Sequence, residues 1–332
     1  MKRIGIIGAG NIARVHVASW QQLPVEVVGY YDAVPEAAQR FSQQYGGQAF
    51  TDLHQLLDRV DIVDICSPSV AHKEHVLAVA RAGKPMVCEK PLARHLADCY
   101  EMVEAVGQAG VPLFVAHVVR FFAQFAQAKA AIDSGAIGKP GVIRTIRAGA
   151  FPRGRPFFAD FNLSGGVILD VGIHDIDFHR WCMGEVERVF ARGLTFRPTE
   201  RDHALITLRF ANGGVGHIEA GWAGPPGHWR TRLEICGDGG VIEWDSNDNG
   251  PITQIMANET QDGNVYSEHT PLAPNDNPYF AELAHFLDCL ESGAPFLVTP
   301  HDALMAVKVA LAANESMRTG KPVEIANFTK GE

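Results

Sequence analysis

With 332 residues, 46% of them hydrophobic and 20% charged, the chain is long enough for two globular domains with substantial cores. Its net charge of −9 and the lack of a basic stripe argue against nucleic acid as the main partner. The apolar stretch at 4–9 breaks at Gly8 and Gly10, and no run approaches the roughly 18 residues of a membrane span, so a cytoplasmic protein without a membrane partner is expected.

The first expected strand, Arg3–Ile7, runs straight into Gly8-Ala9-Gly10-Asn11-Ile12-Ala13, the G-x-G-x-x-A form of the dinucleotide fingerprint. Gly8 permits a tight turn, Gly10 lets the backbone approach a pyrophosphate, and Ala13 lets the helix pack closely on the strand. The N–H groups of the helix start, at Asn11 and Ile12, then serve the phosphates. A second apolar strand, Val25–Tyr31, ends in Asp32, close to the ~20-residue offset at which an acid meets the adenosine ribose. Such an acid accepts from a ribose 2′-OH and repels a 2′-phosphate. No arginine follows it directly, Arg40 being the nearest cation, so NAD is expected rather than NADP. The competing reading is a plain structural turn.

Further strands at Ile62–Cys66, Pro85–Cys88 and Val111–Ala116 alternate with helices at about Asn11–Gln21, Pro35–Tyr45, Ala71–Ala82 and Leu96–Ala109. Short continuous apolar strands between amphipathic helices predict a parallel sheet covered on both faces, an α/β Rossmann domain over residues 1–120. Ligands bind such sheets at the carboxyl ends of the strands, and two segments there look chemical. In Cys88-Glu89-Lys90-Pro91, Lys90 is placed to reach cofactor and substrate together, unless it is an ordinary surface lysine. Ser67-Pro68-Ser69, with His72, is placed to line a nicotinamide pocket, unless Ser69 simply caps the following helix. His72 and His75 lie three apart with no further ligand in sight, so no metal site is expected.

After about Phe121 the pattern changes. Gly141–Ala150, Val186–Phe196, His203–Phe210, Gly214–Trp222, Trp229–Cys236 and Gly240–Trp244 read as successive strands. Asn212-Gly213 and Gly237-Asp238-Gly239 read as hairpin turns that make their flanking strands antiparallel. Residues 121–332 are therefore expected to form an α+β domain with a large, mostly antiparallel open sheet. In His203–Phe210 the apolar face holds Ala204, Ile206, Leu208 and Phe210, and helices at Phe122–Ile132, His174–Met183 and Tyr279–Leu290 are expected to cover it. The other face is mixed, either wet or paired with another subunit. The C-terminal helix, about Asp302–Met317, suits either domain.

Between these strands lies Ser164-Gly165-Gly166, followed by Asp170, Gly172, His174 and Asp177. Asp170 and His174 are four apart, which puts them on one face wherever the backbone is near-helical. A histidine beside a carboxylate suits the transfer of a hydroxyl proton near neutral pH, although from spacing alone a satisfied core histidine near a helix N-cap acid is the slightly better reading. The loop Phe151–Phe158 carries Arg153 and Arg155, whose guanidinium groups suit a carboxylate or phosphate, with Arg120 as a third cation; the alternative is that both loop arginines are solvated or pair with the protein's many acids. Six scattered cysteines show no paired ligand spacing and read as reduced thiols.

These segments together resemble the glucose–fructose oxidoreductase, inositol dehydrogenase and rhizopine-catabolism (Gfo/Idh/MocA) family over essentially the whole chain. Gly8-Ala9-Gly10-Asn11-Ile12-Ala13 is similar to its first turn, Ser67-Pro68 with His72 to a later loop, and Glu89-Lys90-Pro91 to its most characteristic tripeptide. Gly165-Gly166 through Asp170, Gly172, His174 and Asp177 is similar to its second-domain motif. The resemblance implies a cis Lys90–Pro91 peptide, with Lys90, Asp170 and His174 facing the nicotinamide. It implies an NAD(P)-dependent oxidoreductase acting on a secondary hydroxyl of a sugar, inositol or related polyol. His174 is then the proton acceptor, Lys90 the cation at the reacting oxygen, and Asp170 the group that fixes a neighbouring hydroxyl or orients the imidazole. Gly8, Gly10, Asn11, Ile12, Asp32, Ser67, Pro68, His72, Glu89 and Lys90 are expected to serve the cofactor, and Lys90, Arg120, Arg153, Asp170 and His174 the substrate. A homodimer or homotetramer through the C-terminal sheet is also implied. Two departures concern the substrate: His117 in Ala116-His117-Val118-Val119-Arg120-Phe121, and the insert Phe151–Phe158. A non-catalytic dinucleotide sensor of the same fold, or a C=C or C=N reductase, are the rival readings; retention of both Lys90 and His174 favours the enzyme.

Overall fold

Strand β1 (Lys2–Ile7) is apolar at successive positions because both faces of its sheet are covered, and Ile4, Ile6 and Ile7 are all fully buried. The computed structural model describes residues 1–152, 156–196, 201–248, 252–257, 265–270 and 277–329. After β1 come α1 (Asn11–Trp20), β2 (Val25–Tyr31), α2 (Pro35–Tyr45), β3 (Gln48–Phe50), α3 (Leu53–Leu57) and β4 (Ile62–Ile65). Then follow α4 (His72–Arg81), β5 (Met86–Glu89), α5 (Leu96–Ala109) and β6 (Leu113–Ala116). The six strands are parallel in the order β3-β2-β1-β4-β5-β6, the doubly wound dinucleotide arrangement. The expected helices and strands of this half are present; β3 and α3 are additions too short to show periodicity.

The second sheet is built from β7 (Pro140–Ala150), β8 (Val186–Phe196), β9 (Arg201–Phe210), β10 (Val215–Gly224), β11 (Trp229–Gly237), β12 (Gly240–Asp245), β13 (Ile252–Ala257), β14 (Val265–Thr270) and β15 (Val323–Glu324). Its order is β14-β13-β12-β11-β7-β10-β9-β8-β15. Both expected hairpins are antiparallel, whereas β7 and β10 pair in parallel at the centre. Ala204, Ile206, Leu208 and Phe210 are buried as expected. Helix α9 (Ile173–Met183) lies on this side of the sheet against β7 and β10, and α6 (Ala123–Asp133) packs on α9 through Phe125 edge-on to Phe178 at 4.8 Å. Between them, α7 (Pro156–Ala159) and α8 (Phe161–Ser164) lead into a π-helical turn at Ile168–Gly172.

Helix α10 (Pro278–Ser292) corrects one expectation. It does not cover the second sheet but returns to the Rossmann unit, where Phe286 packs against Trp20 and Phe114. Its stripe of Leu283, Phe286 and Leu287 fits the aromatic rim there, a choice periodicity alone cannot make. The chain thus forms one compact unit from Met1–Val118 with Asn277–Met305, and another from Val119 through β14 and again from Ala306. Helix α11 (Pro300–Thr319) contributes residues to both units. All six cysteines are free thiols, and among the described residues no helix is long and apolar enough to cross a membrane.

Candidate active site

The nucleotide end of the Rossmann unit begins at Gly8, whose φ of +97° and whose position, 2.6 Å from Ser67 N for any added Cβ, admit only glycine. Gly10 caps α1 without a side chain, and a Cβ there would meet nothing within 4 Å. The first turn of α1 also carries no acid, so the open space before the positive helix end fits an anion such as a pyrophosphate. Asn11 is exposed at that helix start and Ile12 is half-buried. Asp32 accepts the Ala9 N–H at 2.7 Å and the Val34 N–H at 2.8 Å, tying the glycine turn to the end of β2. Its carboxylate remains partly exposed, as a ribose partner requires.

Ser67, Pro68, Glu89 and Lys90 gather at the same carboxyl edge, after β4 and at the end of β5. The Lys90–Pro91 peptide is cis, as the resemblance implies. His72 has a different role from the one expected. Its ring is buried, with Nδ1 at the Pro91 and Leu92 carbonyls (3.0 and 3.2 Å) and Nε2 at the Ser67 carbonyl (2.8 Å). It clips two loops together and has no ring nitrogen left for a ligand. Burial lowers its pKa, opposed by those carbonyls. Ser67 Oγ is likewise engaged, with His75 Nδ1 at 2.9 Å.

Beneath this edge lies a cluster that spacing did not reveal. His16 on α1 places Nδ1 2.9 Å from Asp64 and Nε2 3.0 Å from Glu89, a setting that favours a ring carrying both protons and donating to each carboxylate. Burial alone would lower its pKa, but Asp64 and Cys66 hold it well above the ordinary value. Trp20 Nε1 donates to Asp64 at 2.7 Å, and the Lys90 backbone N–H donates to Glu89 at 2.9 Å. The available signal was a histidine on the helix face shared by Ala13, Val17 and Trp20, where a polar residue needs a buried partner.

Glu282 on α10 is fully buried nearby, and neither carboxyl oxygen has a partner. Burial, then the Glu89 charge, push its pKa well above the usual carboxylate range. Unfolding above the ordinary glutamate pKa therefore releases a proton, so stability falls as pH rises from that value towards the folded one. Glu282→Gln is expected to raise Tm more near pH 8 than near pH 5. An equal shift at both pH values would show that the carboxyl does not bind its proton this way.

In the second unit, Gly165 and Gly166 both have positive φ (+74° and +72°), and Asn314 Nδ2 holds the Gly165 carbonyl at 3.0 Å. The π-helical turn and α9 follow. From Ser164 to Arg180 every residue is buried except Asp170 and His174. Asp170 lies on the π turn and His174 one turn later, and π turns recur at functional sites. The remaining charges of this stretch are spent internally. Asp175 takes Arg147 at 2.7 Å, and Asp177 takes both ends of the Arg120 fork at 2.8 and 2.7 Å. Burial, then His217, push His179 down to about 3.

Arg120 therefore corrects the sequence expectation of a substrate cation. It is 3% exposed, bidentate to Asp177, and stacked 5.3 Å from the Trp181 ring. Arg153 and Arg155 lie outside the described residues. Among the described residues the tightest group of metal-ligand types is His16, Asp64 and Cys66, and its atoms already hydrogen-bond one another at 2.9 to 3.5 Å.

The open glycine turn at the start of α1 fits a dinucleotide, and known oxidoreductases with an NAD-binding Rossmann domain resemble the chain throughout. Residues 2–117 match the family model described as oxidoreductase family, NAD-binding Rossmann fold, and residues 125–243 match the GFO/IDH/MocA C-terminal domain. The chain belongs to the Gfo/Idh/MocA family of oxidoreductases. It is 33% identical to myo-inositol 2-dehydrogenase of Thermotoga maritima, across 97% of this chain and 98% of that one. It is 29% identical to the scyllo-inositol 2-dehydrogenase (NAD(+)) of Bacillus subtilis, across 97% of this chain and 96% of that one. The crystal structure of a probable dehydrogenase from Thermotoga maritima superimposes with a TM-score of 0.84 at 30% identity, covering 98% of this chain and 99% of the other.

Proposed function

We propose that the protein oxidises a secondary hydroxyl of an inositol, or of a closely related polyol or sugar, with NAD as acceptor. The observation that carries this reading is that Asp170 and His174 alone are only half-buried in an otherwise buried segment, in a chain similar along its length to inositol dehydrogenases. Bound NAD supplies the hydride acceptor. His174 takes the hydroxyl proton, Asp170 fixes a neighbouring hydroxyl or the imidazole, and the Lys90 ammonium bonds the reacting oxygen. Incubation with NAD⁺ and a panel of inositols, aldoses, uronates and amino sugars tests this. NADH absorbance is expected to rise with an inositol or a close polyol, and no rise with any member of the panel would overturn the reading.

The cofactor preference rests on Asp32. NAD⁺ is expected to bind the apo-protein more tightly than NADP⁺. Asp32→Asn, which keeps an acceptor for the Ala9 N–H while removing the charge, is expected to narrow that preference. Tighter NADP⁺ binding by the natural protein would sink the assignment.

The six free thiols suit the cytoplasm. The open face of the second sheet carries Leu194 and Leu205, 64% and 56% exposed, beside Arg144, Glu219 and Arg232. Self-pairing of that mixed face in a symmetric homodimer or homotetramer would cover the leucines. Light scattering is expected to return a multiple of the 36.1 kDa chain mass, and a monomer at micromolar concentration would end the idea.

A further inference from the structure

The buried cluster beneath Lys90 is hard to explain by stability. Asp64, His16 and Glu89 are withdrawn from water together, and Glu282 adds a fourth ionisable group with no hydrogen bond at all. An apolar set of the same volume would hold α1 and α10 on the sheet equally well, because buried ion pairs rarely outperform well-packed apolar groups. What the ionic set does provide is direction. Asp64 takes Trp20 and His16 on Oδ2 and Cys66 on Oδ1, His16 bridges it to Glu89, and the second oxygen of Glu89 takes the backbone N–H of Lys90.

We propose that His16 is a positioning residue, fixing the Glu89 carboxylate that holds the Lys90 backbone and thereby aiming the Lys90 ammonium at the reacting oxygen. The inference rests on the reading of Lys90 as the cation at that oxygen. The ammonium sits at the end of a flexible four-carbon stem, so a small rotation of the Lys90 backbone displaces it by much more. The groups facing His16 are Asp64 and Cys66 from the β4 side, Glu89 from β5, and Tyr279 and Glu282 from α10. The acids outnumber the one cation, so the ring is expected to stay doubly protonated well above the range in which a free histidine titrates.

Two measurements test this. In ¹⁵N-histidine spectra of the apo-protein, the His16 signal, assigned by its loss in His16→Gln, is expected to remain that of an imidazolium near pH 8. A neutral ring there would overturn the inference. In steady-state assays, His16→Gln and Glu89→Gln are each expected to lower kcat by about 10–100-fold and to shift the pH profile of kcat, while the Kd for NAD⁺ changes by less than about threefold. Phe286→Leu, a core change on the same unit, is expected to lower Tm while leaving the kcat profile in place. Should His16→Gln fail to fold, Glu89→Gln and the spectrum of the natural protein still decide. Lys90→Met separates the two levels: if it turns over normally, the reading of Lys90 falls and the inference with it. If Lys90→Met is inactive while Glu89→Gln and His16→Gln match the natural protein in kcat and pH profile, the inference alone falls.

Discussion

His174→Ala is expected to lose about 10²–10⁴ of kcat while binding NAD⁺ as the natural protein does, because a positioned general base contributes rate of that order. The imidazole lies at the second position of α9 and is only half-buried, so its removal should leave the core packing and the fold in place. The oxidation rate of the natural protein should fall on the acid side, where a protonated ring cannot accept the hydroxyl proton. Asp170→Asn should lower kcat less, since an amide still bonds a neighbouring hydroxyl. A His174→Ala protein that turns over near the natural rate would make the Asp170/His174 turn structural, whatever the cofactor half of the site does.

Arg120→Ala should show the largest loss of stability. Removing one partner of a buried ion pair strands the other, at a cost of about 3–5 kcal/mol, and here Asp177 is fully buried. For a chain of 332 residues each kcal/mol lowers Tm by about 1–2 °C, so the transition should move by roughly 5 °C. Arg120→Lys should recover only part of it, since an ammonium cannot reproduce the fork or its stacking on Trp181. A variant that keeps its Tm but loses substrate affinity would reinstate Arg120 as a ligand cation.

The Rossmann half is legible because its cues are local. Continuous apolar strands, a glycine turn and an acid at the end of β2 each occupy a few residues, and each has one physical meaning. The second half depends on long-range choices. The parallel pairing of β7 with β10 and the return of α10 to Trp20 and Phe114 leave no mark on the periodicity of either segment. Strands β13 and β14, at one end of the sheet, have too weak an alternation to stand out, and β15 is too short. At the site, the same limit applies to partners. Spacing shows that Asp170 and His174 share a turn, but only the fold shows that their neighbours are buried and that Arg120 is committed to Asp177. His72 and Glu89 are placed at the right strand ends by sequence, yet their polar atoms serve loops and His16. Nothing in the chain order joins His16 to Glu89, since a contact across that separation is a product of the sheet.

The central claim, oxidation of a carbon-bound hydroxyl by NAD, is tested most directly by following deuterium. A polyol that supports NADH formation is labelled with deuterium at each hydroxyl-bearing carbon, incubated with the protein and NAD⁺, and the reduced cofactor is weighed by mass spectrometry. The expected result is one deuterium per reduced cofactor, slower turnover than with unlabelled substrate, and reduced cofactor forming about 10²–10⁴ more slowly in His174→Ala. Reduced cofactor without deuterium, or turnover near the natural rate in His174→Ala, would contradict the account.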